Sequence, residues 1–109
     1  MKMPLAIKQR WIDALRSGQY LQGRGQLQAD GKFCCLGVLC EVLGIAAVTL
    51  DQRVYYGGCD VGLPREAVQH TGIRNCTIVK IDGRSRPLPY HNDLGATFEQ
   101  IAQAIETDL

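Results

Sequence analysis

The feature that most limits how this chain can fold is residues 33–43, FCCLGVLCEVL, the longest apolar stretch, which is broken by Glu41. Such a run predicts a buried element, and we interpret residues 34–43 as a helix that ends at Gly44. A buried strand is the competing interpretation, because a short apolar run does not by itself separate the two. Gly37 costs about 1 kcal/mol in a helix interior relative to alanine. Such a glycine usually permits the close approach of another backbone.

Shorter elements surround this segment. Asp30-Gly31 and Asp82-Gly83 are hairpin turn signals, because these residue types tolerate positive φ. Apolar residues at helical spacing predict a first helix over residues 4–16 and a last helix over 97–107, the latter with the capping-box pair Thr97 and Gln100. The first helix would bury the stripe Leu5, Ile7, Trp11, Ile12 and Leu15. Between them the sequence predicts a strand within residues 45–56, a short helix over 64–70, a hairpin over 76–88 and a turn over 92–95.

The order of helices and hairpins along the chain defines the expected fold class. The chain has 109 residues, which suits one domain, and we assign residues 1–109 to it. We expect an α+β fold, with helices packed on short antiparallel β-hairpins around one core. Open strand edges favour pairing with another chain. We therefore expect a homo-oligomer with a ligand site at or near the subunit interface.

Charge and composition exclude several classes of function. Twelve basic and eleven acidic residues give a net charge of +1, which provides no general field for DNA or a membrane. No apolar stretch is long enough to span a bilayer, and the N-terminal sequence MKMP lacks the apolar region of a signal peptide. The five cysteines are odd in number and three lie in the apolar run, so we interpret them as buried free thiols. These observations together predict a cytoplasmic protein.

Three motifs carry a resemblance. They are the opening W-x-x-A-L-R-S-G-x-Y-x-Q-G of residues 11–23, the central FCCLGVLC of residues 33–40, and the closing N-D-x-G-x-T-F-x-x-I-A-x-x-I-E of residues 92–106. Together they resemble a family of short proteins encoded by bacteriophages and prophages, over nearly the whole chain. Small phage accessory proteins often counter host defences. The resemblance therefore implies an anti-defence sponge, which binds a nucleotide-derived immune signal, a cyclic oligonucleotide or a cyclic ADP-ribose isomer, without cleaving it.

A protein that holds a nucleotide needs phosphate donors, aromatic faces and polar groups for base edges. The irregular segments of this chain supply all three types. We predict that the arginines hold phosphates, that the tyrosines stack on bases or ribose, and that the remaining two residues contact polar edges. The candidate ligand-binding residues are Arg24, Arg84, Arg86, Tyr55, Tyr56, Tyr90, His91 and Asn92. No cofactor or metal is required, and we expect no catalytic residues.

Each candidate also has a structural interpretation. Arg84 and Arg86 would guard an edge strand against aggregation, and Gly23-Arg24-Gly25 would form a bulge. Asn92-Asp93 would make the turn before the last helix and help to cap it. One of Tyr55 and Tyr56 would be packed and the other exposed.

Two other functions stay open at this point, and two more are disfavoured. A cysteine hydrolase would use Cys34 or Cys35, activated at a helix N-terminus, with His91 as the base. A protein–protein inhibitor of a host defence factor needs no ligand cleft. A zinc site is disfavoured, because Cys34, Cys35 and Cys40 lack the spacing of a zinc knuckle. DNA binding is disfavoured too, because the net charge is near zero.

Overall fold

The computed structural model describes residues 3–109, which form five helices and seven short strands. Met1 and Lys2, part of the N-terminal sequence considered above for a signal peptide, lie outside the described residues. The fold is mixed α+β with short antiparallel strand pairs, as the sequence predicted. The elements in chain order are α1 (Leu5–Arg16), β1 (Leu21–Gln22), β2 (Gln28–Ala29), β3 (Lys32–Phe33), α2 (Cys35–Val42), β4 (Ala47–Leu50), β5 (Arg53–Tyr56), α3 (Arg65–Thr71), β6 (Ile78–Ile81), β7 (Arg84–Pro87), α4 (Leu88–Asp93) and α5 (Phe98–Asp108).

The central element is α2, which is a helix rather than a strand. Six consecutive residues at its start are buried, so every side of the first turns faces protein. A Cβ at Gly37 would overlap the carbonyl oxygen of Leu27, which confirms that the glycine permits a close backbone approach. The helix ends before Gly44, whose φ of +74° is the left-handed conformation that glycine adopts without strain.

Helix α1 packs against both α2 and α5. Trp11, Ile12 and Leu15 are buried as predicted, and the indole Nε1 of Trp11 donates a hydrogen bond of 2.9 Å to the carbonyl oxygen of Cys35. The predicted stripe fails at the first turn of the helix, where Leu5 is 77% exposed. Only the part of α1 that packs on α2 and α5 is buried, so the spacing of apolar residues predicted a longer buried stripe than the structure has.

Both Asp-Gly turns are confirmed. The φ angles are +54° and +76° at Asp30 and Gly31, and +53° and +77° at Asp82 and Gly83. Positive values at both central residues make these type I′ turns, whose twist matches that of the flanking strands. The first turn joins β2 to β3, and β1 adds to β3 in parallel. The second joins β6 to β7.

Two segments differ from the prediction. Residues 45–56 form a hairpin of β4 and β5 rather than a single strand, with Asp51 and Gln52 at φ of +49° and +68°. No glycine marks that turn, so the sequence carried no turn signal. The predicted turn at 92–95 begins inside α4, a short helix that Pro87 precedes and that has Pro89 in its first turn. The capping box of Thr97 and Gln100 at the start of α5 is present as predicted.

Candidate functional site

A cleft opens between the β6–β7 hairpin, the end of α4 and the start of α5. Its volume is about 400 Å³, and we call it the arginine cleft. Its walls include both arginines of β7 and the loop that leads into α5. The lining residues include Arg84, Arg86, His91, Gly95, Ala96 and Gln100.

A second cleft adjoins the first along α5. We call it the α5 cleft; its volume is about 550 Å³. Ile81, Asp82 and Gln100 line both clefts, so the two form neighbouring halves of one groove between the hairpin and the helix. The polar side chains in the walls of the α5 cleft include Lys80, Glu99, Gln103, Thr107 and Asp108, but most of the lining surface is apolar.

The register of the hairpin directs the two arginines of β7 to the same face. Arg86 pairs with Val79 and Arg84 pairs with Ile81. Alternate residues of a strand share a face, and paired residues do so too. Val79 is buried against the core, so this is the face that turns towards α5. The tight Asp82-Gly83 turn therefore fixes both guanidinium groups at the arginine cleft.

Arg24, in the loop after β1, lines neither cleft but lies near the wall of the arginine cleft. A Cβ added to Gly95, in the cleft wall, would lie 3.9 Å from Nη2 of Arg24. Within residues 3–109, none of Arg24, Arg84 and Arg86 has a carboxylate within 4 Å, although other arginines do. Two of the three arginines that the sequence assigned to phosphates thus line one cleft, and the third lies near its wall.

His91 lines the arginine cleft but is itself buried. Its Nε2 lies 2.8 Å from the carbonyl oxygen of Val79. A carbonyl oxygen only accepts hydrogen bonds, so Nε2 carries a proton and the ring orientation is fixed by β6. Tyr90, the preceding residue on α4, is 62% exposed and is not part of either cleft wall. These neighbours were predicted to act together, but the helix turns their side chains apart.

Asn92 is fully buried and its amide is used inside the protein. The side-chain oxygen accepts hydrogen bonds from Nε2 of Gln22 at 2.9 Å and from the backbone nitrogen of Cys35 at 3.2 Å. The side-chain nitrogen donates to the carbonyl oxygen of Gly23 at 2.8 Å. Asn92 therefore has a structural role, but not the predicted one: it lies in α4 and caps α2, whereas Thr97 caps α5. Because its polar atoms are used inside the protein, we omit it from the proposed site.

The tyrosine pair lies on a different hairpin. Tyr55 and Tyr56 belong to β5 and line neither cleft. Tyr56 is fully buried; its hydroxyl donates to Glu41 at 2.7 Å and accepts from Gln28 at 2.9 Å. Burial, and then the hydrogen bond to Glu41, raise the pKa of Tyr56. Tyr55 is half-buried, so the predicted packed tyrosine is present but the other one is not exposed as predicted.

The cysteines of α2 are poorly placed to act as nucleophiles. Cys34 and Cys35 are buried, and burial raises the pKa of both thiols. For Cys34, backbone N–H groups of Gly37 and Leu36 at the helix N-terminus lower the pKa, but by less than burial raises it. The thiol of Cys35 lies 3.8 Å from the carbonyl oxygen of Leu88. A thiol that is both buried and protonated is inert.

Gln100, which lines both clefts, was predicted only as a capping residue. Its role in the cap was visible as a spacing from Thr97, but its position beside the hairpin depends on how α5 packs on β6. Gly95 was predicted only as part of a turn. In the part of the chain that the structure describes, no group of three or more histidine, cysteine and acidic residues is arranged to hold a metal ion. No helix among these residues is long and apolar enough to cross a membrane.

The fold and the clefts define a small α+β domain with a groove that carries two arginines at one end and has a largely apolar lining at the other. The chain belongs to the family described as Domain of unknown function (DUF8296), whose model matches residues 3–109. No curated protein and no solved structure matches the chain.

Proposed function

We propose that this protein is a phage-encoded anti-defence protein that binds and sequesters a nucleotide-derived immune signal, of the cyclic oligonucleotide or cyclic ADP-ribose type, without cleaving it. The observation that carries the proposal is that Arg84 and Arg86 line one cleft, with Arg24 near its Gly95 wall, and that none of the three has an acidic partner among residues 3–109. The phage origin rests on the resemblance of the three sequence motifs.

The arginine cleft suits phosphate. A guanidinium group presents a planar fork of donors that matches phosphate oxygens, and charge-assisted hydrogen bonds are about twice as strong as neutral ones. Arg84 and Arg86 line the cleft from the hairpin, and Arg24 lies near its Gly95 wall. Asp82 is the acidic residue of the wall, so the local balance of charge remains positive. A ligand with one or two phosphates would neutralise it.

The α5 cleft suits the rest of a nucleotide. Gln100 and Gln103 offer amides, and Asp108 offers the carboxylate oxygen that does not accept from Lys80, which can accept from an exocyclic amino group of a base. Volumes of about 400 and 550 Å³ each fall in the range of small-molecule sites, and the two halves adjoin. In this arrangement phosphates lie at the arginine end, and a base and its ribose lie along α5.

Binding without cleavage is supported by the position of the cysteines. Cys34 and Cys35 line neither cleft. The side chains that face a ligand here are donors and acceptors suited to recognition.

The test is thermal unfolding with a panel of cyclic dinucleotides and cyclic ADP-ribose isomers. A ligand at 100 times its Kd stabilises the native state by about 2.7 kcal/mol, which raises the Tm of a domain of this size on the order of 10 °C. The protein is then heat-denatured and the released compound is analysed. Intact ligand supports sequestration, whereas a converted product would show that the protein is an enzyme. The absence of a shift with every nucleotide would favour the alternative, an inhibitor that binds a host protein.

A matched pair of double variants locates the site. Arg84→Ala with Arg86→Ala should weaken binding at least 100-fold. Arg65→Ala with Arg74→Ala removes the same charge from exposed positions outside both clefts, and should leave the affinity within about twofold. Equal losses in the two would mean that net charge, and not this cleft, governs binding.

A further inference from the structure

Strand β4 is an open edge on the surface. It pairs with β5 alone, and all four of its residues are exposed. Leu50 pairs with Arg53 across a two-residue turn, so these two residues exchange backbone hydrogen bonds, and Val48 and Tyr55 do the same. Ala47 and Thr49 therefore point their N–H and C=O groups away from β5. Among residues 3–109 these outward groups have no backbone partner.

The edges of the β6–β7 hairpin are protected, whereas that of β4 is not. Pro87 removes a donor from β7, and Arg84 and Arg86 add charge to it. The outer side of β6 is closed by Asp108, whose carboxylate accepts a hydrogen bond of 2.8 Å from the backbone nitrogen of Lys80. Ala47–Leu50 has neither proline nor charge. Proteins normally protect an exposed edge, so an unprotected one indicates a partner strand.

The side chains of β4 support the same conclusion. Val48 and Leu50 are 51% and 61% exposed, and they share a face with half-buried Tyr55 because alternate and paired residues lie on the same side. This apolar strip continues to the open edge. A partner strand would cover it and satisfy the outward backbone groups together.

We propose that the protein forms a two-fold symmetric dimer in which β4 pairs antiparallel with β4 of a second copy. The two-fold axis passes beside Val48. Ala47 then lies opposite the partner's Thr49, and Thr49 opposite the partner's Ala47, so that four backbone hydrogen bonds join the chains. Val48 lies directly opposite the partner's Val48. The product is one four-stranded antiparallel sheet.

This register is the one that uses all the outward groups. An axis beside Ala47 would place Thr49 opposite the partner's Ile45, whose backbone nitrogen already donates to the carbonyl oxygen of Cys40 at 3.1 Å. An axis beside Thr49 would place Ala47 opposite the partner's Asp51, which has a positive φ in the turn. Both arrangements lose hydrogen bonds that the axis beside Val48 keeps.

The proposed interface is separate from the groove of the proposed function, because no residue of β4 or β5 lines either cleft. Each copy keeps its own clefts, contrary to the sequence-based expectation of a ligand site at the interface. The dimer and the ligand site can therefore be tested independently.

The first experiment measures molecular mass in solution by light scattering from about 1 to 100 µM protein. The wild type should show twice the chain mass of 12.0 kDa. Val48→Lys places two like charges directly opposite each other and should weaken dimerisation more than 100-fold. Ile78→Lys makes the same change at an exposed apolar residue of β6 and should leave the dimer intact. A monomeric wild type at 100 µM, or a Val48→Lys variant that remains dimeric, would overturn the proposal.

The second experiment tests the register by disulfide formation. In a Cys76→Ser background, which removes the exposed thiol, Val48→Cys brings two cysteines opposite each other. Non-hydrogen-bonded antiparallel pairs have Cα atoms about 4.5 Å apart, within the disulfide range. Val48→Cys should form covalent dimers on mild oxidation at least tenfold faster than Thr49→Cys, which faces the partner's Ala47. Equal rates, or a faster reaction at position 49, would contradict the register.

Discussion

The side-chain oxygen of Asn92 lies 3.2 Å from the backbone nitrogen of Cys35 and accepts its hydrogen bond. That N–H group belongs to the first turn of α2, where helices have no internal partners for their donors. The same side chain holds Gln22 and Gly23, so one buried amide joins α4, α2 and the end of β1. The three motifs that carry the family resemblance meet here, which indicates that they maintain the fold.

Replacement of Asn92 by alanine should lower the free energy of unfolding by about 3 kcal/mol, because buried donors and acceptors lose their partners at about 1–3 kcal/mol each. Urea unfolding measures the change. Asn75→Ala is the matched control, since its side-chain oxygen accepts one hydrogen bond of 2.8 Å, from the backbone nitrogen of Leu63, at an exposed position. The control should lose about 1 kcal/mol. Equal losses would show that Asn92 is an ordinary turn residue.

The features of the fold that the sequence predicted correctly depend on residues that are close together in the chain. Two Asp-Gly pairs determine their turns because the φ angles they need are open to few other residues. The turn at Asp51-Gln52 was missed because it has a glutamine in this conformation, where the other two turns have a glycine. Only the pairing of β4 with β5 stabilises it there, and such pairing is not visible in a local pattern.

The site was predictable to the extent that a strand and its turn determine side-chain direction. Arg84 and Arg86 alternate along β7 beyond a defined turn, so their common face followed from the sequence. The burial of Tyr56, in contrast, depends on Glu41 and Gln28, which come from α2 and β2. An aromatic residue beside two glycines looks the same in sequence whether it contacts a ligand or the core.

Tyr56→Phe should cost about 1–3 kcal/mol of stability, because the variant leaves Glu41 and Gln28 without the hydroxyl between them. Its neighbour provides the control: Tyr55 is half-buried and its hydroxyl makes no hydrogen bond among the described residues, so Tyr55→Phe should change stability by less than about 0.5 kcal/mol. Chemical denaturation of both variants checks the difference. A larger loss in Tyr55→Phe would contradict the assignment of the buried partner.

Gly37→Ala tests the contact between α2 and the backbone of Leu27, the residue before β2. In an exposed helix this change stabilises by up to about 1 kcal/mol. Here the added methyl group would overlap the carbonyl oxygen of Leu27, so the helix must shift and stability should fall by about 2 kcal/mol or more. Thermal unfolding followed by circular dichroism shows whether the variant is more or less stable than the wild type. A rise in Tm would show that the backbone of Leu27 yields at little cost.

The buried thiols predict a loss of stability at alkaline pH. Burial raises the pKa of the Cys40 thiol to about 12 from an ordinary value of 9.0, and it raises the pKa values of Cys34 and Cys35 as well. Above pH 9 the unfolded chain loses these protons while the native state keeps them. Stability is therefore complete below pH 9 and falls as pH rises towards 12, by up to about 1.4 kcal/mol per pH unit for each thiol. Urea unfolding between pH 7 and 11 measures the slope.

Two variants assign that slope to the buried thiols. Cys40→Ala should be less stable at pH 7, because it leaves a small cavity, but its stability should fall less steeply between pH 9 and 11. Cys76→Ser changes an exposed thiol and should preserve the wild-type slope. A wild-type stability that stays level from pH 9 to 11 would mean that the native structure opens enough for these thiols to ionise as readily as in the unfolded chain.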